Sequence, residues 1–158
     1  MKLEIGAKAP DFSVADGSGK RVRLADILKD AQGNPRGAVL YFYPKDMTPG
    51  CTTQARDFQA SLAEFAKLGL GVYGVSRDSA ASHQKFCSQE SLAFPLLSDP
   101  ELTLHKAYGA WGTKTTYGKV SEGVLRSTFV IGPDGILTHA AYNVKATGHV
   151  ASLLRKLA

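Results

Sequence analysis

Cys51 lies in Tyr43-Pro44-Lys45-Asp46-Met47-Thr48-Pro49-Gly50-Cys51-Thr52, between an apolar run and an amphipathic stretch. A cysteine acts through its thiolate, as a nucleophile or a metal ligand. The flanking patterns place Cys51 in the first turn of a helix, beyond the C-terminal end of a strand, where open α/β sheets build their sites. Unpaired backbone N–H groups and the positive end of the helix dipole favour an anion at such a position. Pro49 and Gly50 shape the turn, and Gly50 leaves backbone amides free to face an incoming oxygen. Thr48 can aim a hydroxyl at the same spot. Pro44 can exclude water there without adding a donor. The plain alternative is that Cys51 is a small buried hydrophobe, a common role for free cysteine.

The elements that must position this segment follow from periodicity. Ala38 to Tyr43 is a β-prone apolar run of the kind buried on both faces of a sheet. Thr52 to Leu68 reads as a helix, with Phe58, Leu62, Phe65 and Ala66 on one stripe and Gly69 as its stop. Leu70 to Ser76 is a second strand, and a helix runs from about Ser79 to Gln89 with Asp78 or Ser79 as N-cap. Phe94 to Leu97 is a short strand, its Pro95 best placed near an end or an edge. Asp99-Pro100 opens a short helix. Ser127–Ile131 and Ile136–Tyr142 flank the turn signal Gly132-Pro133-Asp134-Gly135, and a helix closes the chain at His149–Leu157. Ala31–Gly37 and Tyr108–Gly123 read as loops, and a further hairpin is expected near Asp11–Leu24. The order β-α-β-α-β-α-β-β-α predicts an α/β sandwich around a mixed sheet. Its terminal β-β-α unit after β-α-β matches the thioredoxin-like fold, with the early hairpin as an N-terminal extension.

Composition narrows the function classes. One domain spanning 1–158 is expected from the length, and 44% hydrophobic with 21% charged residues suits an ordinary soluble core. Two cysteines, Cys51 and Cys87, are too few for a disulfide scaffold and too few for a closed zinc site without histidines. His83, His105, His139 and His149 show none of the close pairing of a metal motif, and no metal or other cofactor is expected. The net charge of +5 is spread along the chain, with no basic stripe for nucleic acid. Met1 to Pro10 lacks the apolar core of a secretory signal, and no apolar run reaches membrane-spanning length. A reducing cytoplasm is the expected compartment, and there a cysteine pair is more often redox-active than structural.

Pro44-(x)3-Thr48-(x)2-Cys51 resembles the active-site signature of the peroxiredoxins, and the run from Tyr41 to Ala55 is similar to their bacterioferritin comigratory protein / peroxiredoxin Q branch. The resemblance extends over Ala9-Pro10-Asp11-Phe12, Phe94 to Asp99, Tyr117-Gly118-Lys119 and Arg126 to Ile131. It implies reduction of hydrogen peroxide and organic hydroperoxides, with Cys51 as peroxidatic nucleophile passing through a sulfenic acid. It implies that Thr48, the backbone N–H groups at Gly50 and Cys51, and Arg126 bind the peroxide oxygens, with Pro44 shielding them. Gln54, one turn into the helix, can orient Arg126 or be a solvated helix glutamine.

One pattern in this branch puts a resolving cysteine five residues after the first, where this chain has Arg56. Another puts it on the Ser79–Gln89 helix, which makes Cys87 the implied resolving residue, in an intramolecular disulfide that the first turn of the Thr52–Leu68 helix must unwind to form. Cys87 shares a helix face with Ala80 and His83, so an inert packing role stays open. Thioredoxin is the implied reductant, and a monomer suffices. Two other classes remain. A thiol–disulfide oxidoreductase would want Cys-x-x-Cys, and Gln54 stands at its second position. A non-catalytic binding or chaperone domain has no need of Pro44, Thr48, Cys51 and Arg126 together. Trp111 can line the pocket rim or anchor its loop; the anchor is favoured.

Overall fold

A computed structural model describes residues 2–157; Met1 and Ala158, the ends of the expected 1–158 domain, lie outside the described residues. The elements in chain order begin with β1 (Ser13–Asp16), β2 (Arg21–Arg23), α1 (Leu24–Ile27), β3 (Gly37–Phe42), α2 (Pro49–Ala60) and α3 (Leu62–Lys67). Then come β4 (Leu70–Ser76), α4 (Ala80–Glu90), β5 (Leu96–Ser98), α5 (Thr103–Ala107), β6 (Trp111–Thr116) and β7 (Lys119–Val124). The last are β8 (Ser127–Ile131), β9 (Leu137–Ala141) and α6 (His149–Leu157). Seven strands form one mixed sheet in the order β2-β1-β5-β4-β3-β8-β9. β3, β4 and β5 run parallel, and β8 returns antiparallel beside β3.

Side-chain alternation on β3 divides the core into two layers. Val39, Tyr41 and Tyr43 pack with Cys51, Ala55, Phe58, Phe65, Phe86, Val150 and Leu153, the residues of α2, α3, α4 and α6. Ala38, Leu40 and Phe42 point the other way, among Ile27, Leu104, Tyr108 and the N-terminal hairpin. A strand buried on both faces cannot alternate polar and apolar residues, which is why its sequence is one continuous apolar run. The result is the mixed α/β, thioredoxin-like architecture with an N-terminal β1–β2 hairpin.

Four sequence expectations need correction. The helix expected over Thr52–Leu68 begins at Pro49, so Pro49 and Gly50 are helical, and it breaks at Ser61 into α2 and α3. Phe58 and Phe65 still both face the core on either side of the break, with ring centroids 5.7 Å apart, while Ala66 turns outward. Asp99 and Pro100 do not open a helix: Leu102 adopts left-handed φ, α5 starts at Thr103, and the Asp99 carboxylate instead accepts from the backbone N–H of His105. The Tyr108–Gly123 stretch is no loop. It forms the separate β6–β7 hairpin, closed by Tyr117 and Gly118 with φ of 51° and 77°, the two positive values that a tight hairpin turn requires. The short strand expected over Phe94–Leu97 is instead Leu96–Ser98, inside the sheet between β1 and β4; Pro95 stands just before it, at the strand end as expected, where its carbonyl accepts from the Gly74 N–H at 3.2 Å and no N–H is needed.

Gly37 marks the closest backbone approach in this frame, since a Cβ there would lie 2.6 Å from the Ile131 carbonyl oxygen on β8. Gly37→Ala should therefore push β3 and β8 apart and cost about 1–3 kcal/mol in urea unfolding. An unchanged unfolding midpoint would contradict this reading of the β3–β8 contact.

Candidate active site

The sheet register brings together residues far apart in sequence. Phe42 ends β3 opposite Ser127, the first residue of β8, so Arg126 is set beside the start of the Tyr43–Thr48 connection. Tyr43 continues the strand direction, its N–H donating to the Val75 carbonyl at 3.0 Å. Met47 then takes φ of 65°, a left-handed value uncommon for a residue with a side chain. That residue, and not Pro49-Gly50, reverses the chain. Thr48 is the N-cap in extended conformation and Pro49 the first helical residue, where its missing N–H costs nothing. Cys51 falls at the third helical position, within the first turn, and is only 2% exposed.

Arg126 lies in the two-residue link between β7 and β8 and forks over the helix start. Its Nη2 donates to Cys51 Sγ at 3.4 Å, and its Nη1 donates to Gln54 Oε1 at 2.5 Å. Gln54 is fully buried, which decides between the two readings of it: it positions the guanidinium and is not solvated. A methyl group at Gly50 would sit 3.5 Å from Arg126 Nη2, within the space beside the sulfur. The Thr48 hydroxyl donates to the Lys45 carbonyl at 2.8 Å, so its oxygen keeps lone pairs able to accept a hydrogen bond. Pro44 is half-buried at the head of the loop. His149, at the start of α6, meets Thr128 Oγ1 at 2.8 Å; burial, with the positive neighbours His139, Lys156 and Arg126, pushes its pKa down to about 4. It adds no positive charge beside Arg126 at neutral pH.

A polar network that the sequence reading passed over holds this loop. Asp46 is 3% exposed and accepts from Tyr43 Oη at 2.6 Å and from Ser82 Oγ at 2.7 Å, while His83 Nδ1 lies 2.7 Å from its Oδ2. The Asp46 N–H donates to Asp78 at 2.8 Å, and His83 Nε2 lies 2.9 Å from the Leu97 carbonyl. Burial alone would raise the pKa of Asp46, but the hydrogen bonds from His83, Tyr43 and Ser82 outweigh it and hold the carboxyl below its ordinary range. The available signal was His83 on the same face of α4 as Cys87, which had suggested packing only.

Cys87 is half-buried on α4 and packs against the same apolar layer as Cys51; both cysteines are free. Burial, together with the negative Asp46 and Asp16, pushes the Cys87 thiol up to about 11. Trp111 starts β6, with the Arg77 guanidinium 5.5 Å from its ring centroid. Among the described residues no three His, Cys, Asp or Glu side chains gather as a metal site would require, and no helix is long and apolar enough to cross a membrane.

Comparison with known proteins bears on this arrangement. The model of the AhpC/TSA family matches residues 5–140. Peroxiredoxin Bcp of Bacillus subtilis is 44% identical over 157 residues, 99% of this chain and 96% of that protein. The solved structure of Xanthomonas campestris peroxiredoxin Q superposes with TM-score 0.84 at 41% identity, covering 98% of this chain and 94% of that one. A structure of Xanthomonas campestris bacterioferritin comigratory protein, reported for its alkyl peroxide reduction activity, superposes with TM-score 0.85 at 39% identity, over 98% and 95% of the two chains.

The Asp46 network carries a pH signature. A carboxyl lowered in the folded state adds stability that is fully present above its unfolded pKa of about 3.9 and is lost as pH falls through the lower folded value. Urea midpoints should therefore drop more steeply below about pH 4 in the wild type than in Asp46→Asn. Parallel pH profiles for the two proteins would show that Asp46 is not held in this way.

Proposed function

The chain belongs to the AhpC/TSA family, in its bacterioferritin comigratory protein / peroxiredoxin Q branch, and from that premise we propose that it is a thiol peroxidase working through Cys51. The observation that carries this reading is the buried Cys51 sulfur at a helix start, with Arg126 Nη2 directed at it from 3.4 Å. In the reaction Cys51 attacks the terminal oxygen of hydrogen peroxide or an organic hydroperoxide. The O–O bond breaks, the sulfur becomes a sulfenic acid, and the leaving oxygen takes a proton to become water or an alcohol. Negative charge develops along the line of attacking and departing oxygens. Arg126 and the backbone N–H groups at Gly50 and Cys51 stabilise it, and donors fixed in advance need no reorganisation. The Thr48 oxygen accepts from the peroxide O–H and orients it. Pro44 shields the reacting atoms, and Gln54 holds Arg126 in place.

Cys87 then resolves the sulfenic acid. Its thiol attacks the Cys51 sulfur, water leaves, and an intramolecular disulfide forms. A thiol with pKa near 11 has a thiolate fraction at neutral pH on the order of a hundredfold below that of an exposed cysteine. Leaving its buried setting thus activates Cys87 as well as bringing the sulfurs together. The first turn of α2 unwinds for this step, carrying Cys51 toward α4. Thioredoxin, or a similar dithiol protein, reduces the disulfide by exchange. One domain over 1–158 performs the cycle as a monomer in the cytoplasm, with neither metal nor organic cofactor.

Thioredoxin-coupled NADPH consumption with hydrogen peroxide tests the assignment. Cys51→Ser should abolish turnover. Cys87→Ser should consume about one peroxide per chain and then stop. Arg126→Lys, which loses the fork, should lower kcat/KM by about 10²–10³. Activity surviving Cys51→Ser would end the peroxidase reading, and full turnover in Cys87→Ser would remove Cys87 from it.

A further inference from the structure

The position five residues after Cys51 is not idle in this chain. Arg56, on the outer half of α2, places its Nε 2.5 Å from Glu90 Oε1, in the last turn of α4. The Arg56 side chain is 67% exposed and that of Glu90 only 14%, so the pair lies at the surface with its acidic member largely covered. One turn further along α2, Gln59 Oε1 accepts from the Ala93 N–H at 2.7 Å, just past the end of α4. On α4, His83, Cys87 and Glu90 fall at i, i+4 and i+7, one face of the helix. His83 binds Asp46, five residues before Cys51, and Glu90 binds Arg56, five residues after it. The resolving cysteine is thus flanked along its helix by two polar side-chain contacts to the segment that carries the peroxidatic cysteine. One is buried and fixed; the other is exposed and releasable.

We infer that the Arg56–Glu90 ion pair is a latch that sets how often Cys51 leaves its pocket to meet Cys87. The inference rests on the Cys51–Cys87 resolution put forward above and deepens it. Arg56 and Glu90 are positioning residues: neither touches the reacting atoms. Arg56 lies one turn beyond the first turn of α2, so the pair is broken only when the unwinding that begins there runs on to Arg56. A contact made in the closed arrangement and lost in that fuller opening holds the closed population up by its own strength, and an exposed pair of this kind changes such a ratio by about two- to five-fold. Two fates compete for the Cys51 sulfenic acid. In the open form it condenses with the Cys87 thiol, giving a disulfide and one water with no further oxidant. In the closed form it stays beside Arg126 and can attack a second peroxide, giving a sulfinic acid and water or an alcohol. The latch therefore sets the peroxide concentration at which the enzyme is lost to sulfinic acid.

The experiment measures disulfide and sulfinic acid by mass spectrometry of the intact chain over a peroxide titration, with melting temperature as a folding control. Arg56→Gln and Glu90→Gln should each raise the peroxide concentration for half-conversion to sulfinic acid by about two- to five-fold. The charge-reversed double variant R56E/E90R should return it toward the wild-type value. Raising salt from about 0.05 to 1 M, which shortens the screening length to about 3 Å, should move the wild type toward the single variants and leave Arg56→Gln where it is. A merely structural contact would change melting temperature without the salt response or the rescue. Wild-type disulfide formation with an unchanged partition in both single variants overturns the latch alone. Absence of any Cys51–Cys87 disulfide in the wild type overturns the resolution step, and the latch with it.

Discussion

The Arg126 guanidinium is the contact on which the rest of this structure depends. It must present one N–H to the Cys51 sulfur and another to the buried Gln54 oxygen at the same time, and a planar fork does that only in one orientation. The fold satisfies this requirement from both sides. On one side, the register of β3 against β8 puts residue 126 next to the exit from the central strand. On the other, the left-handed turn at Met47 and the proline at the first helical position place Cys51 and Gln54 one turn apart on α2, facing the same guanidinium. Removing Gln54 would leave a half-buried cation with one of its two hydrogen bonds, so its role is energetic as well as geometric.

The Asp46 network does for the backbone what Gln54 does for the guanidinium. Tyr43, Ser82 and His83 converge on one buried carboxylate, and Asp78 takes the Asp46 N–H. The loop before the helix is thereby fixed to α4, the helix of Cys87. The two cysteines consequently sit in one apolar layer but in opposite chemical settings. Cys51 has a cationic donor aimed at it. Cys87 has burial and two negative neighbours, and is kept as a thiol. A mechanism that uses both must let the second change its surroundings, which links resolution to local opening of the helix ends.

Much of this was legible in the sequence, for identifiable reasons. The continuous apolar run of β3, the strand at Leu70–Ser76, Ser127–Ile131 and the closing helix all carry strong local patterns, and all were placed within a residue or two. The segment from Pro44 to Cys51 is local as well, so its chemistry could be read from spacing. Arg126 could not: it lies 75 residues away, and only family resemblance pointed to it before the β3–β8 register explained it. Gln54 was ambiguous because a helix glutamine carries no mark of burial. Asp46 was missed because, apart from Tyr43, its partners are Asp78 and the α4 residues Ser82 and His83, more than thirty residues away, a tertiary fact. The break at Ser61 and the β6–β7 hairpin escaped because neither carries a local mark: no proline or glycine stands at the break, and the hairpin has little apolar alternation to announce it.

The central claim is that Cys51 is the sulfur that takes the peroxide oxygen. The direct measurement uses Cys87→Ser, treated with one equivalent of peroxide in the presence of a cyclic 1,3-dione that alkylates sulfenic acids, followed by peptide mapping. One label per chain, located on Cys51, is the predicted result. Unlabelled Cys51 with peroxide still consumed, or Cys51 recovered as a free thiol, would contradict it.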